Sequence, residues 1–287
     1  MALSRIARID RRILYVVLIL GLTIPLLSPL NLPIPITPHT EGVWDATEAL
    51  STGDVVIVSF DFGPATMPEN YPQAKGLIFH CKQLGLKVIG VCFWATGAPI
   101  GERVFREVYG DAFPNIDEYG DTVVYIGAIP GGAVGMRTFA ANTWTAISVD
   151  HYGNSFSALP LMDEVRSAED MNLWMEVTSG TPGADEVIMY VQTPWGGPTR
   201  MPVVAAGTAV TIPGLMPYYN ADQLSGLLNG LAGAGEYESL LARDYGYPTT
   251  LIASLDAQSI AHLLIIVFII IGNIGFAYTK LGGRETR

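Results

Sequence analysis

The chain has 287 residues, of which 49% are hydrophobic, and it carries a formal net charge of −11 at pH 7. An acidic chain repels the phosphates of DNA and RNA, so its charge argues against nucleic-acid binding. Two long uncharged apolar stretches, residues 13–36 and 259–279, argue against a protein that is soluble throughout.

The first stretch, residues 13–36, is 24 residues long, and a helical span of the hydrocarbon core needs about 20. It is preceded by basic residues, Arg5, Arg8, Arg11 and Arg12, with Asp10 as the one acid. No small-residue cleavage site follows, which favours an uncleaved anchor over a signal peptide. We predict a basic tail over residues 1–12 and a transmembrane helix over residues 13–30.

Prolines then recur through the end of this stretch, at Pro25, Pro29, Pro33, Pro35 and Pro38. Proline lacks a backbone N–H and ends or kinks a helix. We therefore expect helix to about Leu27, and a Pro-rich, extended neck over residues 31–38.

Between the two stretches, short runs rich in Val, Ile and Phe alternate with runs of helical periodicity. The predicted strands cover residues 54–62, 87–94, 121–129, 172–177 and 201–210, and the predicted helices cover 71–84, 99–109 and a segment ending near Ala146. Strands separated by helices indicate a parallel sheet covered on both faces. Residues 39–256 are therefore predicted to form an acidic, doubly wound, mostly parallel, Rossmann-like α/β domain, flanked by N- and C-terminal transmembrane helices.

Ligands of such sheets bind beyond the carboxyl ends of the strands. The residues that follow the predicted strands there are Asp61, Gly63, Thr96, Gly97, Gly131, Gly132, Ser179 and Gly180. Helix N-termini in these loops attract anions, and Asp61 suits a hydroxyl, an amine or a metal. The same residue types also serve turns and caps in loops that bind nothing. The pattern thus fits either a pocket for a small polar or anionic ligand or ordinary connecting loops.

Known catalytic and cofactor motifs are absent. There is no G-x-x-x-x-G-K-[ST], no G-x-G-x-x-G, no G-x-S-x-G and no zinc-ligand spacing, so we predict no cofactor and assign no catalytic residue. Asp150-His151 beside Ser155 and Ser157 suggests a hydrolase, but neighbours in sequence seldom meet as a catalytic group, and a loop capped by its own polar side chains is favoured. Oxygen donors at Asp117, Glu118 and Asp121 suit a calcium ion, but they lack the spacing of an EF-hand, and a solvated acidic loop is the alternative.

The two cysteines, Cys81 and Cys92, fall on a predicted helix and the strand after it. A disulfide can persist outside the cytoplasm, but the distance between the thiols is not fixed by sequence. We expect two buried free thiols.

A leucine-rich segment, residues 218–242, has apolar residues at helical spacing and contains Gly226, Gly230 and Gly233. Glycines inside a helix cost about 1 kcal/mol each and mark a close backbone approach or a break. The segment is predicted either to pack on the sheet or to form a subunit interface.

The second transmembrane helix is predicted over residues 257–279, followed by a basic tail over 280–287. Small and polar residues within it, Gly272, Asn273 and Gly275, suit helix–helix packing, whereas His262 lies near its outer end. Basic flanks at both spans predict that both termini are cytoplasmic in a plasma membrane and that the central domain is extracytoplasmic. Residues 37–258 hold 9 Lys/Arg and 25 Asp/Glu, so this part carries 9 − 25 = −16.

These features favour a non-catalytic structural or scaffolding subunit of a multi-subunit cell-envelope membrane complex. The expected partners are the lipid bilayer and further copies or other subunits, in a homo- or hetero-oligomer, and the absence of any N-x-[ST] sequon fits a prokaryotic envelope. Two alternatives remain open: a membrane-anchored receptor or sensor for a small-molecule ligand, and an unrecognised extracytoplasmic hydrolase or transferase.

Overall fold

The structure is a computed structural model that describes residues 10–30 and 32–282. The chain divides into two compact units: Met1–Pro33 with Thr249–Arg287, and Ile34–Pro248. Most of the predicted tails, residues 1–9 and 283–287, and residue 31 of the neck lie outside the described residues.

The second unit is built on a six-stranded sheet in which all neighbouring strands are parallel. The strands are β1 (Val55–Asp61), β2 (Lys87–Cys92), β3 (Val123–Ala128), β4 (Leu173–Thr178), β5 (Val203–Gly207) and β6 (Gly226–Asn229). Their order across the sheet is β3-β2-β1-β4-β5-β6, which is the order of a doubly wound nucleotide-binding sheet. The prediction of a parallel, Rossmann-like α/β domain is confirmed.

Helices connect the strands. In chain order they are α1 (Arg11–Leu27), α2 (Pro38–Glu48), α3 (Met67–Gln83), α4 (Ala98–Tyr109), α5 (Ala133–Ala141), α6 (Thr143–Ala146), α7 (Pro160–Glu164), α8 (Ala184–Val187), α9 (Ile212–Asn220), α10 (Gly230–Tyr245) and α11 (Ile252–Gly282). Single 3₁₀ turns open the loops before α3 and α4, and a π-helical turn, Ile188–Gln192, continues α8.

Each face of the sheet is covered because side chains alternate along every strand. On β1, Val56, Val58 and Phe60 face one core, with α2, α3, α4 and α10, and Val55 and Ile57 face the other, with α5, α7, α8 and α9. Burial on both faces explains why the strands are continuous apolar runs.

The leucine-rich segment 218–242 has apolar residues at helical spacing but is not one continuous helix, and Gly226 and Gly230 lie where it is interrupted. It contains the end of α9, the strand β6 and most of α10. A strand buried on both faces is a continuous apolar run, as Leu227 and Leu228 show. Over a short window such a run, together with nearby leucines, cannot be told from the apolar face of a helix. Gly230, with a φ of +56°, starts α10 directly after the strand.

The first unit contains α1 and α11. Among the described residues, one helix is long and apolar enough to cross a membrane, Ile252–Ala277 within α11, and it begins earlier than the predicted residue 257. Helix α1 has 17 residues, which is short of the roughly 20 needed for a span. The backbone N–H groups of Leu30 and Leu32, in the extended chain after α1, donate to the Asp256 carboxylate at 2.7 and 3.2 Å.

Candidate functional site

The order of the strands reverses between β1 and β4, and the carboxyl ends of these two neighbours form the switch point where parallel sheets bind ligands. Asp61 at the end of β1 lies opposite Thr178 on β4, and Ser59 lies opposite Glu176. All four side chains are buried on one face of the sheet, in an otherwise apolar layer.

Asp61 is fully buried and holds the β2 loop in place. Its Oδ1 accepts hydrogen bonds from the backbone N–H of Phe93 at 2.5 Å and of Trp94 at 2.9 Å. Its Oδ2 accepts from Ser59 Oγ at 2.5 Å. Both oxygens are therefore used within the protein, and Asp61 tethers β2 to β1 instead of lying open at the strand ends.

Glu176 lies beside Asp61 and is also fully buried. Its Oε2 accepts from Trp174 Nε1 at 3.0 Å, and its second oxygen has no donor partner. Burial raises the pKa of Asp61 to about 6, and burial together with the Asp61 charge raises the pKa of Glu176 well above its usual value. Burial therefore favours the protonated form of Glu176, the member of the pair whose pKa is raised more strongly.

The structure brings together most of the sequence-predicted ligand residues around this pair. Gly63 lies against Thr96. A Cβ placed on the glycine would be 3.5 Å from the threonine Oγ1. Gly97 packs on the carbonyl of Phe60 so closely that a Cβ there would be 1.8 Å from the oxygen. The loops after β1 and β2 therefore touch, and glycine is required at the contact.

The loops after β3 and β4 also meet. Gly131 and Gly132 have φ values of +102° and +56°, and a Cβ on Gly132 would be 3.9 Å from Pro182 Cδ in the β4 loop. The Trp94 ring lies over Gly180, and Ser179 donates its backbone N–H to the Asp61 carbonyl. The loops therefore lie together at one edge of the sheet, as predicted. That they bind a ligand stays a prediction.

Two buried amides at this edge, Asn70 and Gln73, were missed from sequence, and the half-buried Trp94 adds a third buried polar group. Gln73 Nε2 donates to the carbonyls of Gly207, Leu228 and Gly230 at 2.9–3.2 Å. Asn70 Nδ2 donates to the Thr178 carbonyl at 3.2 Å, but Asn70 Oδ1 has no partner among the described residues. Trp94 Nε1 is likewise buried without a partner. The available signal was a pair of amides three residues apart, Asn70 just before the predicted helix 71–84 and Gln73 within it, which lie on one buried face of the observed helix α3.

This edge carries no charge in its loops. The segments 62–68, 93–101, 129–136, 179–184, 207–217 and 229–235 contain no Asp, Glu, Lys, Arg or His, in a domain rich in acids. Two apolar side chains are open to solvent there, Val134 and Val210, the latter 89% exposed. Glu69, at the start of α3, accepts the Ala209 N–H at 2.8 Å and so brings an acid to the loop after β5.

The hydrolase-like group does not assemble. Asp150 accepts from Tyr119 Oη at 2.6 Å and from the N–H of Asn154 at 2.8 Å, so it organises its own loop. The Oγ atoms of Ser155 and Ser157 pair with each other at 2.9 Å, and His151 faces Glu102. No described contact joins the histidine to either serine.

The acidic loop before β3 is solvent-exposed at Asp117, Glu118 and Asp121. In the described part of the chain no group of three or more His, Cys, Asp or Glu side chains is placed to hold a metal ion. Cys81 and Cys92 are free and buried, as expected, and burial raises the pKa of Cys81 to about 12.

The predicted interface glycines fall into two groups. Gly226 and Gly233 pack against backbone of the same unit: Gly226 on Val43, and Gly233 on Leu228. In α11, Gly275 is buried, whereas Gly272 has nothing within 4 Å of its Cβ position and Asn273 is exposed.

Comparison with known proteins adds little. No protein-family model and no curated protein gives a significant match. A solved structure, the crystal structure of AibC, is similar at 14% identity with a TM-score of 0.30, covering 90% of this chain. The chain spans 56% of the length of AibC. A similarity of this size gives no indication of function.

Proposed function

We propose that the protein is a non-catalytic structural or scaffolding subunit of a multi-subunit cell-envelope membrane complex, anchored by α1 and α11. In this proposal both basic tails are cytoplasmic and the acidic α/β domain lies outside the plasma membrane. The positive flanks and the −16 charge of the segment between the spans support this orientation.

Helix α11 would cross the bilayer as a regular span, and α1 would cross beside it. The 17-residue helix α1 can complete its crossing with extended chain, because the N–H groups of Leu30 and Leu32 are satisfied by Asp256. Non-helical backbone at membrane depth is tolerated where protein satisfies its polar groups.

The observation that carries the proposal is Asn273. It lies on an apolar, membrane-length helix, it is exposed, and it has no hydrogen-bond partner among the described residues. An amide in hydrocarbon without a partner costs several kcal/mol, and polar residues of membrane helices nearly always face another helix. The membrane unit is thus incomplete as a single chain and is completed by another subunit.

Native mass measurement of the particle extracted in mild detergent tests this proposal. We expect protein mass well above the 30.9 kDa of one chain. A particle holding a single chain across several mild detergents would contradict it. Protease added to intact cells tests the orientation separately, because it should digest the α/β domain and spare both tails.

A second candidate function, a receptor for a small neutral ligand, is favoured by the two unpartnered polar atoms at the switch point. Asn70 Oδ1 can accept a hydrogen bond and Trp94 Nε1 can donate one, and both lie beside the end of β4. The loops contain no cation and the Asp61 carboxyl lies beneath them, so a neutral hydroxylated ligand fits better than an anion.

Thermal unfolding of the full chain in detergent, with glucose and with glucose 1-phosphate, tests the receptor function. At about 10 mM even millimolar binding raises the melting temperature. We expect glucose to raise it, glucose 1-phosphate to have less effect, and Asn70→Ala to abolish the glucose-induced rise. A melting temperature that neither compound changes would count against a sugar receptor.

A further inference from the structure

The two sides of α11 differ in what covers them. One side contacts α1: a Cβ on Gly21 would be 2.5 Å from Leu264 Cδ1 and 3.3 Å from Ile260 Cγ2. Gly275 and Ala257 are also buried, and a turn of about 100° per residue puts them on the same line of α11 as Leu264 and Ile260. The pairing of the two helices therefore uses one stripe of α11 and leaves the rest of its circumference open.

The opposite side carries a second stripe, formed by His262, Ile266, Ile269 and Asn273. Successive members are four, three and four residues apart, and since each residue turns an α-helix by about 100°, they share one line along it. This line is about half a turn from Leu264 and Ile260. All four side chains are exposed, Ile266 and Ile269 at 54% and 56%.

The stripe has a polar residue at each end. His262 lies near the outer end of the span, and Asn273 lies about three turns deeper. Neither has a described partner, and both would face lipid if the chain were alone. Two polar side chains on the same uncovered line, with isoleucines between them, are the pattern of a helix–helix contact.

We propose that this stripe packs against the same stripe of a second copy of the chain, in a parallel, two-fold symmetric helix pair. The inference rests on the proposed function and names the partner subunit. Copies with the same orientation in the membrane place His262 opposite His262 and Asn273 opposite Asn273, at equal depths. An amide and an imidazole can each offer a hydrogen-bond donor and an acceptor, so each of the two residues can pair with its counterpart in the other copy.

Symmetry is what favours a second copy over an unrelated helix. A foreign partner would need matching polar groups at two depths, whereas self-pairing supplies them automatically. Asparagine at one core position of a parallel helix pair is a known device for fixing register and a two-stranded state. The glycine at 272, with open space beside it, lets the neighbouring backbone come close to Asn273.

Disulfide cross-linking of the full chain in membranes tests the contact. The variant Ile266→Cys places a thiol on the stripe. Val267→Cys is the matched control, because Val267 is the next residue of the helix and points about 100° away from the stripe. Val267 is also exposed, at 38%. Cys81 and Cys92 are buried with pKa values raised by burial, so they do not contribute. We expect a covalent dimer from the first variant and little from the second.

Adding Asn273→Leu to Ile266→Cys should lower the yield of cross-linked dimer about threefold to tenfold, as expected for one membrane hydrogen bond. Adding Ile274→Leu, on a neighbouring line of α11, should leave it unchanged. Equal cross-linking from positions 266 and 267, or none from either, would overturn the symmetric contact. A heavy native particle without cross-linked copies would refute this inference and leave the proposed function standing, whereas a single-chain particle would remove both.

Discussion

Replacing Glu176 with Gln is expected to stabilise the protein, and to do so increasingly as the pH rises. Glu176 is fully buried and its pKa lies well above the usual 4.5, because burial and the adjacent Asp61 charge disfavour ionisation. Above pH 4.5 the unfolded chain releases this proton and the folded chain keeps it. The folded state is then penalised by about 1.4 kcal/mol per pH unit, up to the folded pKa.

Glutamine has the shape of the protonated acid, but it has no proton to lose. The gain in the free energy of unfolding for Glu176→Gln should be close to zero at about pH 4 and should grow as the pH rises towards 7, by at most about 1.4 kcal/mol per pH unit. Urea unfolding of the full chain in detergent, at both pH values, measures it. A variant less stable than the parent near pH 7 would mean that Glu176 is ionised and useful as a charge.

Two comparisons isolate this effect. Glu118→Gln alters an exposed acid, so it should give the same small change at both pH values. The buried His80 acts in the opposite direction, because burial lowers its pKa and its contribution to stability is lost as the pH falls below 6.5. The difference between Glu176→Gln and the parent removes the histidine effect, which both proteins share.

The acid pair also shows where prediction from sequence stops. The position of Asp61 at the end of a buried strand follows from the run of Val, Ile and Phe before it. Its pairing with Glu176 does not, because the pair depends on β1 lying beside β4, more than a hundred residues later in the chain. Local sequence predicts strands well and their lateral order poorly.

The same limit explains the other differences. Helix α2 has few apolar residues, and its Val43 and Trp44 are buried because they pack against β6 and α10. Asn70 and Trp94 look like ordinary polar or aromatic residues until the chain places them beside the end of β4. Residue type and spacing therefore identified the edge of the sheet, whereas the hydrogen bonds there decide which groups are free.

Substituting Gly226 with alanine is expected to be the most damaging single-methyl change at the glycines first interpreted as an interface. The Cβ would lie 2.1 Å from the backbone N of Val43 and 2.5 Å from the carbonyl carbon of Gly42. Both neighbours are backbone, so β6 or α2 must move as a whole. Inserting one methyl group into a packed core costs 1–3 kcal/mol where side chains can adjust, so we expect about 3 kcal/mol or more here.

Gly214→Ala is the matched control, since nothing lies within 4 Å of its Cβ position and the glycine sits in α9 without a positive φ. Alanine in a helix is favoured over glycine by about 1 kcal/mol, so this variant should be neutral or slightly stabilised. Urea unfolding separates internal packing from subunit contact. The contrary result would be an unchanged free energy of unfolding for Gly226→Ala together with a native particle of lower mass. In that case β6 would face another subunit instead of α2.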